Sequence, residues 1–61
     1  MEEVELYLQY DAVGNVTVSV VYPENNTNTL YVPAEVPPIE RDNRINAFKA
    51  EQQALANGSA S

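Results

Sequence analysis

The chain of 61 residues contains no cysteine, no histidine and no tryptophan. Without cysteine there are no disulfides and no thiolate chemistry. The loss of histidine as well removes the usual zinc ligands and any His-based catalytic triad. Basic residues are scarce: Arg41, Arg44 and Lys49 stand against nine acids, for a net charge of −6. All three lie late in the chain. Residues 1–40 hold seven acids (Glu2, Glu3, Glu5, Asp11, Glu24, Glu35, Glu40) and no base, whereas residues 41–61 hold three bases against Asp42 and Glu51. Nucleic-acid backbones are bound by clustered Lys and Arg, so this distribution argues against a nucleic-acid partner. It suits a solvated face or docking onto a basic protein surface.

Long apolar runs are missing too. Nothing approaches the 18 or so residues of a membrane span, and Met1-Glu2-Glu3 is the opposite of a basic signal-peptide start. The expectation is synthesis in the cytoplasm without a signal peptide and no membrane partner. With only Gly14 and Gly58, no glycine-rich phosphate loop or nucleophile elbow exists. Asp11 in "DAVGN" lacks the D-x-D-x-D-G spacing and terminal glutamate of a calcium loop, so it reads as a turn residue. The remaining carboxylates fall at the N-terminus, in turns and on polar strand positions. No enzyme, cofactor or metal is expected. Asn15-Val16-Thr17, Asn25-Asn26-Thr27 and Asn57-Gly58-Ser59 fit the glycosylation pattern but read as turn and tail residues.

What is present is period two, then period 3.6. In "EVELYLQYD", Val4, Leu6, Leu8 and Tyr10 point one way and Glu5, Tyr7 and Gln9 the other. "NVTVSVVY" repeats this, with Val16, Val18, Val20 and Tyr22 on one face and Thr17, Ser19 and Val21 on the other. Such alternation marks strands with one buried face. Asp11 and Gly14-Asn15 suit a hairpin loop between them, and "PENNTN" suits a second turn, its asparagines tolerating left-handed backbone. "TLYV" closes on Pro33, which fits an edge strand. These segments predict strands at about 3–10, 15–22 and 28–33. From Ile39 onward, Ile45, Phe48, Gln52 and Leu55 recur at helical spacing, with alanines adding propensity. Pro38 suits the first helical turn, Glu40 and Arg44 form an i, i+4 pair, and Asn57-Gly58 is a stop signal.

The expected fold class is therefore α+β: a three-stranded antiparallel β-meander (1–33), an extended proline connector (34–38), an α-helix (39–56) and a flexible tail (57–61). The prolines at 33, 37 and 38 fail the PxxP spacing of a recognition ligand. As a near-polyproline connector they would reach about 20 Å and let the helix stand away from the sheet. The helix stripe is narrow and interrupted by Gln52, so it either covers its own sheet or docks on another chain. The second alternative predicts that Phe48 and Leu55 bury against a different chain.

A chain this short buries only about 60% of its unfolded surface, and its core rarely supplies more than ~3–5 kcal/mol. With staples excluded, stabilisation by protein partners is expected, as a homo-oligomer or among neighbouring subunits. The candidate partner-binding residues are Tyr7, Val21 and Tyr31 on the second sheet face, and Ile45, Phe48, Gln52 and Leu55 on the helix. Across most of its length, "LQYDAVGNV…YVPAEVPPIERDNRINAFKAEQQAL" resembles small accessory virion proteins of tailed bacteriophages. These often join a hairpin bearing an aspartate–glycine turn to a proline connector and an alanine-rich helix. The resemblance implies a structural assembly component, incorporated in a virion as a decoration, tail or baseplate protein. A different class of function also fits: a small acidic inhibitor occupying a basic site on a host protein.

Overall fold

The alternation of the first half folds as it reads. In the computed structural model, which describes residues 3–24 and 26–58, β1 (Glu5–Tyr10), β2 (Val16–Tyr22) and β3 (Thr29–Val32) form one antiparallel sheet in the order β1-β2-β3. Helix α1 (Pro38–Ala56) follows, completing the expected α+β architecture. Glu2, Asn25 and residues 59–61 of the expected tail lie outside the described residues.

Register sorts the side chains into two faces. Val18 sits between Leu8 and Leu30, and Val16 between Tyr10 and Val32, all on the face that carries the core. Val4, Val16, Val18, Val20, Val32 and Phe48 are its buried members, with Leu6, Leu30, Val36 and Ile45 packed against them. Branched valines suit this pleated surface but are small, so Phe48 supplies the one large apolar side chain of the core. Glu5 pairs with Tyr22 and Leu6 with Val20, which leaves Val21 as an extra residue in a β-bulge.

The β1–β2 loop is built on Asp11. Its Oδ1 accepts the backbone N–H of Val13, Gly14 and Asn15 at 2.8–2.9 Å, and its Oδ2 accepts Asn15 Nδ2 at 2.7 Å. Gly14 takes φ +106°, the left-handed residue that closes a three-residue hairpin loop. Asn15 then reaches across the fold, its Oδ1 accepting the N–H of Ala34 at 2.6 Å. The hairpin loop is thereby tied to the connector before the helix.

That connector is not the extended spacer expected. Val36 N–H donates to the carbonyl of Pro33 at 3.1 Å, so Pro33–Val36 closes a turn and Val36 packs on the core. Besides fixing its own φ, proline restricts the residue before it, which here means Val32, Val36 and Pro37. Ala34 and Glu35 precede no proline and are free to bend, and the bend carries the helix home. Pro38 opens α1 after Pro37 (φ −58°, ψ 148°), and Arg41 N–H donates the first helical bond to Pro37 O at 2.8 Å. A proline at that position loses no hydrogen bond, because its N–H would have been an orphan anyway. Gly58 ends the helix at φ +72° with its N–H on Leu55 O.

The far end of the helix is held by amides. Gln52 is 1% exposed, and its Oε1 accepts both Asn26 Nδ2 and Asn28 Nδ2 at 2.8 Å. Asn26 Oδ1 takes the N–H of Asn28 at 2.9 Å, which orients the Asn26 amide so that its NH2 faces Gln52. Among the described residues no non-glycine residue has positive φ, so Asn26 and Asn28 serve by their side chains and not by left-handed backbone. Beside them, Val4 N–H donates to Gln53 Oε1 at 2.7 Å. This explains why β1 starts at Glu5 although Val4 is fully buried: its backbone is bonded to the helix.

Candidate interaction surface

The opposite sheet face has no helix. Register places Tyr7 beside Ser19 and Thr29 in one row, and Tyr31 beside Thr17 and Gln9 in the next. Tyr7, Val21 and Tyr31 are all more than half exposed. The tyrosines flank β2 across a floor of small hydroxyl side chains, about 10–12 Å apart by strand and residue spacing. Aromatic rings with a polar tip on a small-residue floor can bury apolar area against a partner while keeping each phenol hydrogen-bonded. Of the expected site residues here, Val21 is the unpaired one in the bulge, exposed but with no place in these rows, while Tyr7 and Tyr31 are brought onto one surface.

The four helical ones are not. Phe48 and Gln52 are buried in this chain's own core, and Ile45 packs against it. The expectation that Phe48 buries against a different chain is therefore corrected. The connector bends, and the narrow stripe of α1 meets a narrow strip of sheet, chiefly the side of β2 and β3. Gln52 does not interrupt that stripe; it receives the asparagine turn. Leu55 alone stays half exposed. A 19-residue helix runs about 28 Å at 1.5 Å per residue, and the longest strand has seven residues. Leu55 falls one turn beyond the level where Gln52 and Gln53 reach Asn28 and Val4, past the end of the sheet.

Coverage also fails on the core face, which the sequence reading did not foresee. Leu8 is 37% and Tyr10 53% exposed, although both point to the helix side, whereas Val16, Val18 and Val32 are sealed. One helix about 10 Å wide cannot roof three strands, and α1 covers the start of β1 but leaves its second half, Leu8 and Tyr10, open. The signal available in the sequence was the count of one helix against three strands. Over this open edge Arg41 extends its side chain, with its guanidinium carbon 6.0 Å from the Tyr10 ring centroid. Its Nε is buried without a hydrogen-bond partner, and Asp42 Oδ1 stands 3.8 Å away.

Electrostatically the described surface is acidic. Each of the three cations already faces a carboxylate: Arg41 with Asp42, Arg44 with Glu40 at 2.6 Å and Lys49 with Glu3 at 3.4 Å. The Asp11 carboxyl is held below its ordinary pKa, first by the Asn15 side-chain hydrogen bond; desolvation opposes this, and the N–H groups of Asn15, Gly14 and Val13 add to the lowering. Among the described residues, no group of three or more His, Cys, Asp or Glu side chains could hold a metal ion. No described helix is long and apolar enough to cross a membrane. No known protein family, curated protein or solved structure matches the chain.

Proposed function

We propose that the chain is a non-enzymatic structural subunit that works by binding protein neighbours in a larger assembly. The observation that carries this reading is the unroofed sheet: Tyr7 and Tyr31 on one face, Leu8 and Tyr10 on the other, and Val21 at the bulge stand in solvent. Large apolar groups on both faces of so small a sheet are what an interface requires, and a small valine core leaves the fold in need of one. The resemblance to accessory virion proteins suggests the setting, a decoration, tail or baseplate position in a particle. Multi-angle light scattering on the purified chain tests the reading. Assembly, or a melting temperature that rises with protein concentration, is expected; a cooperative folded monomer at all concentrations overturns it.

A second reading rests on charge. With every cation matched to a carboxylate, the surplus acids would suit an inhibitor seated on a basic site of a host protein. Salt separates the two: an acidic inhibitor loses affinity steeply between low and physiological ionic strength, while the apolar surface barely responds.

A further inference from the structure

We infer that Asn57 is a modification site: in the native protein its side-chain amide is lost as ammonia through attack by the Gly58 nitrogen, and the product loosens the end of α1 that holds the start of β1. The inference goes beyond the assembly reading and does not depend on it.

Of the seven asparagines in the chain, only Asn57 precedes a glycine. The reaction needs the next residue's backbone nitrogen to reach the side-chain carbonyl carbon, and a Cβ on that residue obstructs the approach; glycine has none. Asn15, Asn26 and Asn28 precede the β-branched Val16, Thr27 and Thr29, and their amide nitrogens donate to Asp11 or Gln52. Asn43 and Asn46 lie within α1 and precede Arg44 and Ala47, and Asn25 precedes Asn26. Asn57 is exposed at the helix C-cap, with φ −78° and ψ −4°. Its Oδ1 accepts Gln53 Nε2 at 3.0 Å, and the Gly58 N–H donates to Leu55 O at 3.1 Å. The imide ring closes only when the Gly58 nitrogen and Asn57 Cβ lie nearly eclipsed about the Cα–C bond, and the helical ψ holds them apart. The last turn must therefore open first, which an exposed helix end does without global unfolding.

In the open turn the Gly58 nitrogen gives its proton to solvent and attacks Asn57 Cγ. The N–Cγ bond forms, the Cγ–Nδ2 bond breaks, and Nδ2 leaves as ammonia. Water then adds to the cyclic imide. Cleavage at Cγ restores the ordinary backbone with an aspartate side chain; cleavage at the backbone carbonyl carbon routes the chain through Cβ and Cγ as isoaspartate. Nothing is oxidised or reduced. Either product sets a carboxylate at the C-terminal end of α1, whose last turn holds no basic residue, against the negative end of the helix dipole. Isoaspartate also lengthens the backbone, which breaks the register of Gly58 with Leu55. Gln53 carries the effect inward: its Nε2 is held by Asn57 Oδ1, and its Oε1 accepts the N–H of Val4 at 2.7 Å. Loosening the last turn therefore loosens the start of β1.

Incubation of the full chain in warm, mildly alkaline buffer, followed by peptide mapping with mass spectrometry, tests the site. The amide-to-acid mass gain should appear at residue 57 before any other asparagine, with both aspartate and isoaspartate formed. Gly58→Ala adds a Cβ that meets nothing within 4 Å. It should slow the reaction about fivefold, the looser left-handed cap offsetting part of the steric effect. Rates in native buffer and in unfolding urea should agree within about tenfold, as a fraying helix end requires. In the separated isoaspartate product, hydrogen exchange at the Val4 amide should be about threefold faster than in the parent chain. A first mass gain at another asparagine, an unchanged rate in Gly58→Ala, or reaction of the unfolded chain alone would overturn the site. Unchanged exchange at Val4 would overturn its link to β1.

Discussion

Replacing Gln52 by alanine should cost about 2–3 kcal/mol, working from one lost methylene and two lost hydrogen bonds. The side chain is sealed between α1 and the sheet, with its Oε1 taking both Asn26 and Asn28. The methylene contributes about 0.8 kcal/mol. Each amide bond contributes about 1 kcal/mol net, and the two asparagines are open enough for water to relieve part of their loss. For a fold of this size, expected to hold only ~3–5 kcal/mol, the change should bring the urea midpoint down by roughly half. Gln52→Leu keeps about the volume and removes only the amide, its acceptor oxygen and the NH2 donated to Glu51 Oε1 at 3.5 Å, so it should be milder. Double-mutant cycles with Asn26→Ala and Asn28→Ala isolate the polar part, with coupling near 1 kcal/mol expected for each pair. If Gln52→Ala costs under about 0.5 kcal/mol, the ordinary range for surface positions, the amide clamp is refuted. Zero coupling to both asparagines would also refute it, and Gln52 would be free for a partner after all.

Phe48→Ala should remove about 3–5 kcal/mol and unfold the isolated chain, seen as loss of near-UV dichroism; a folded variant with weakened assembly would mean that Phe48 serves another chain. Gly14→Ala should destabilise by about 1–2 kcal/mol in thermal melts. The added Cβ fits, with Ala34 Cβ at 3.6 Å, so the cost comes from φ +106° alone; an unchanged melting temperature would contradict the loop geometry. Because Asp11 has a depressed folded pKa, its contribution is present above its unfolded pKa near 4 and lost as pH falls through the folded value. Acid titration of Asp11→Asn should therefore show a flatter loss of stability below about pH 4 than the parent chain. Equal slopes would show that the loop carboxylate does not couple to folding.

Local rules carried much of this protein. Alternation alone located β1 and β2, because a period of two admits only one assignment of faces, and the hairpin follows from Asp11 and Gly14. Pro38, the Glu40–Arg44 pair and Gly58 placed the helix ends within a residue, since caps and proline act on the backbone beside them. The same alternation put Tyr7 on the face opposite the core, and register then placed Tyr31 on that face too; at the bulge alternation breaks, leaving Val21 unpaired and setting Tyr22 beside Glu5.

What tertiary structure decided was where the helix goes and what it leaves uncovered. Ile45, Phe48 and Gln52 present the same stripe to their own sheet as to a foreign one, so spacing could not choose between them. Three long-range hydrogen bonds made the choice visible: Asn15 on Ala34, which anchors the turning connector, and the two asparagines on Gln52, which hold the far end. A polar residue in an apolar stripe looks like a defect until its partners, 24 and 26 residues away, are in place. The exposure of Leu8 and Tyr10 is likewise a matter of area: a single helix is narrower than three strands. Sequence determines which face each side chain shares, because that is set within a few bonds; only packing determines which of those faces remains open to a partner.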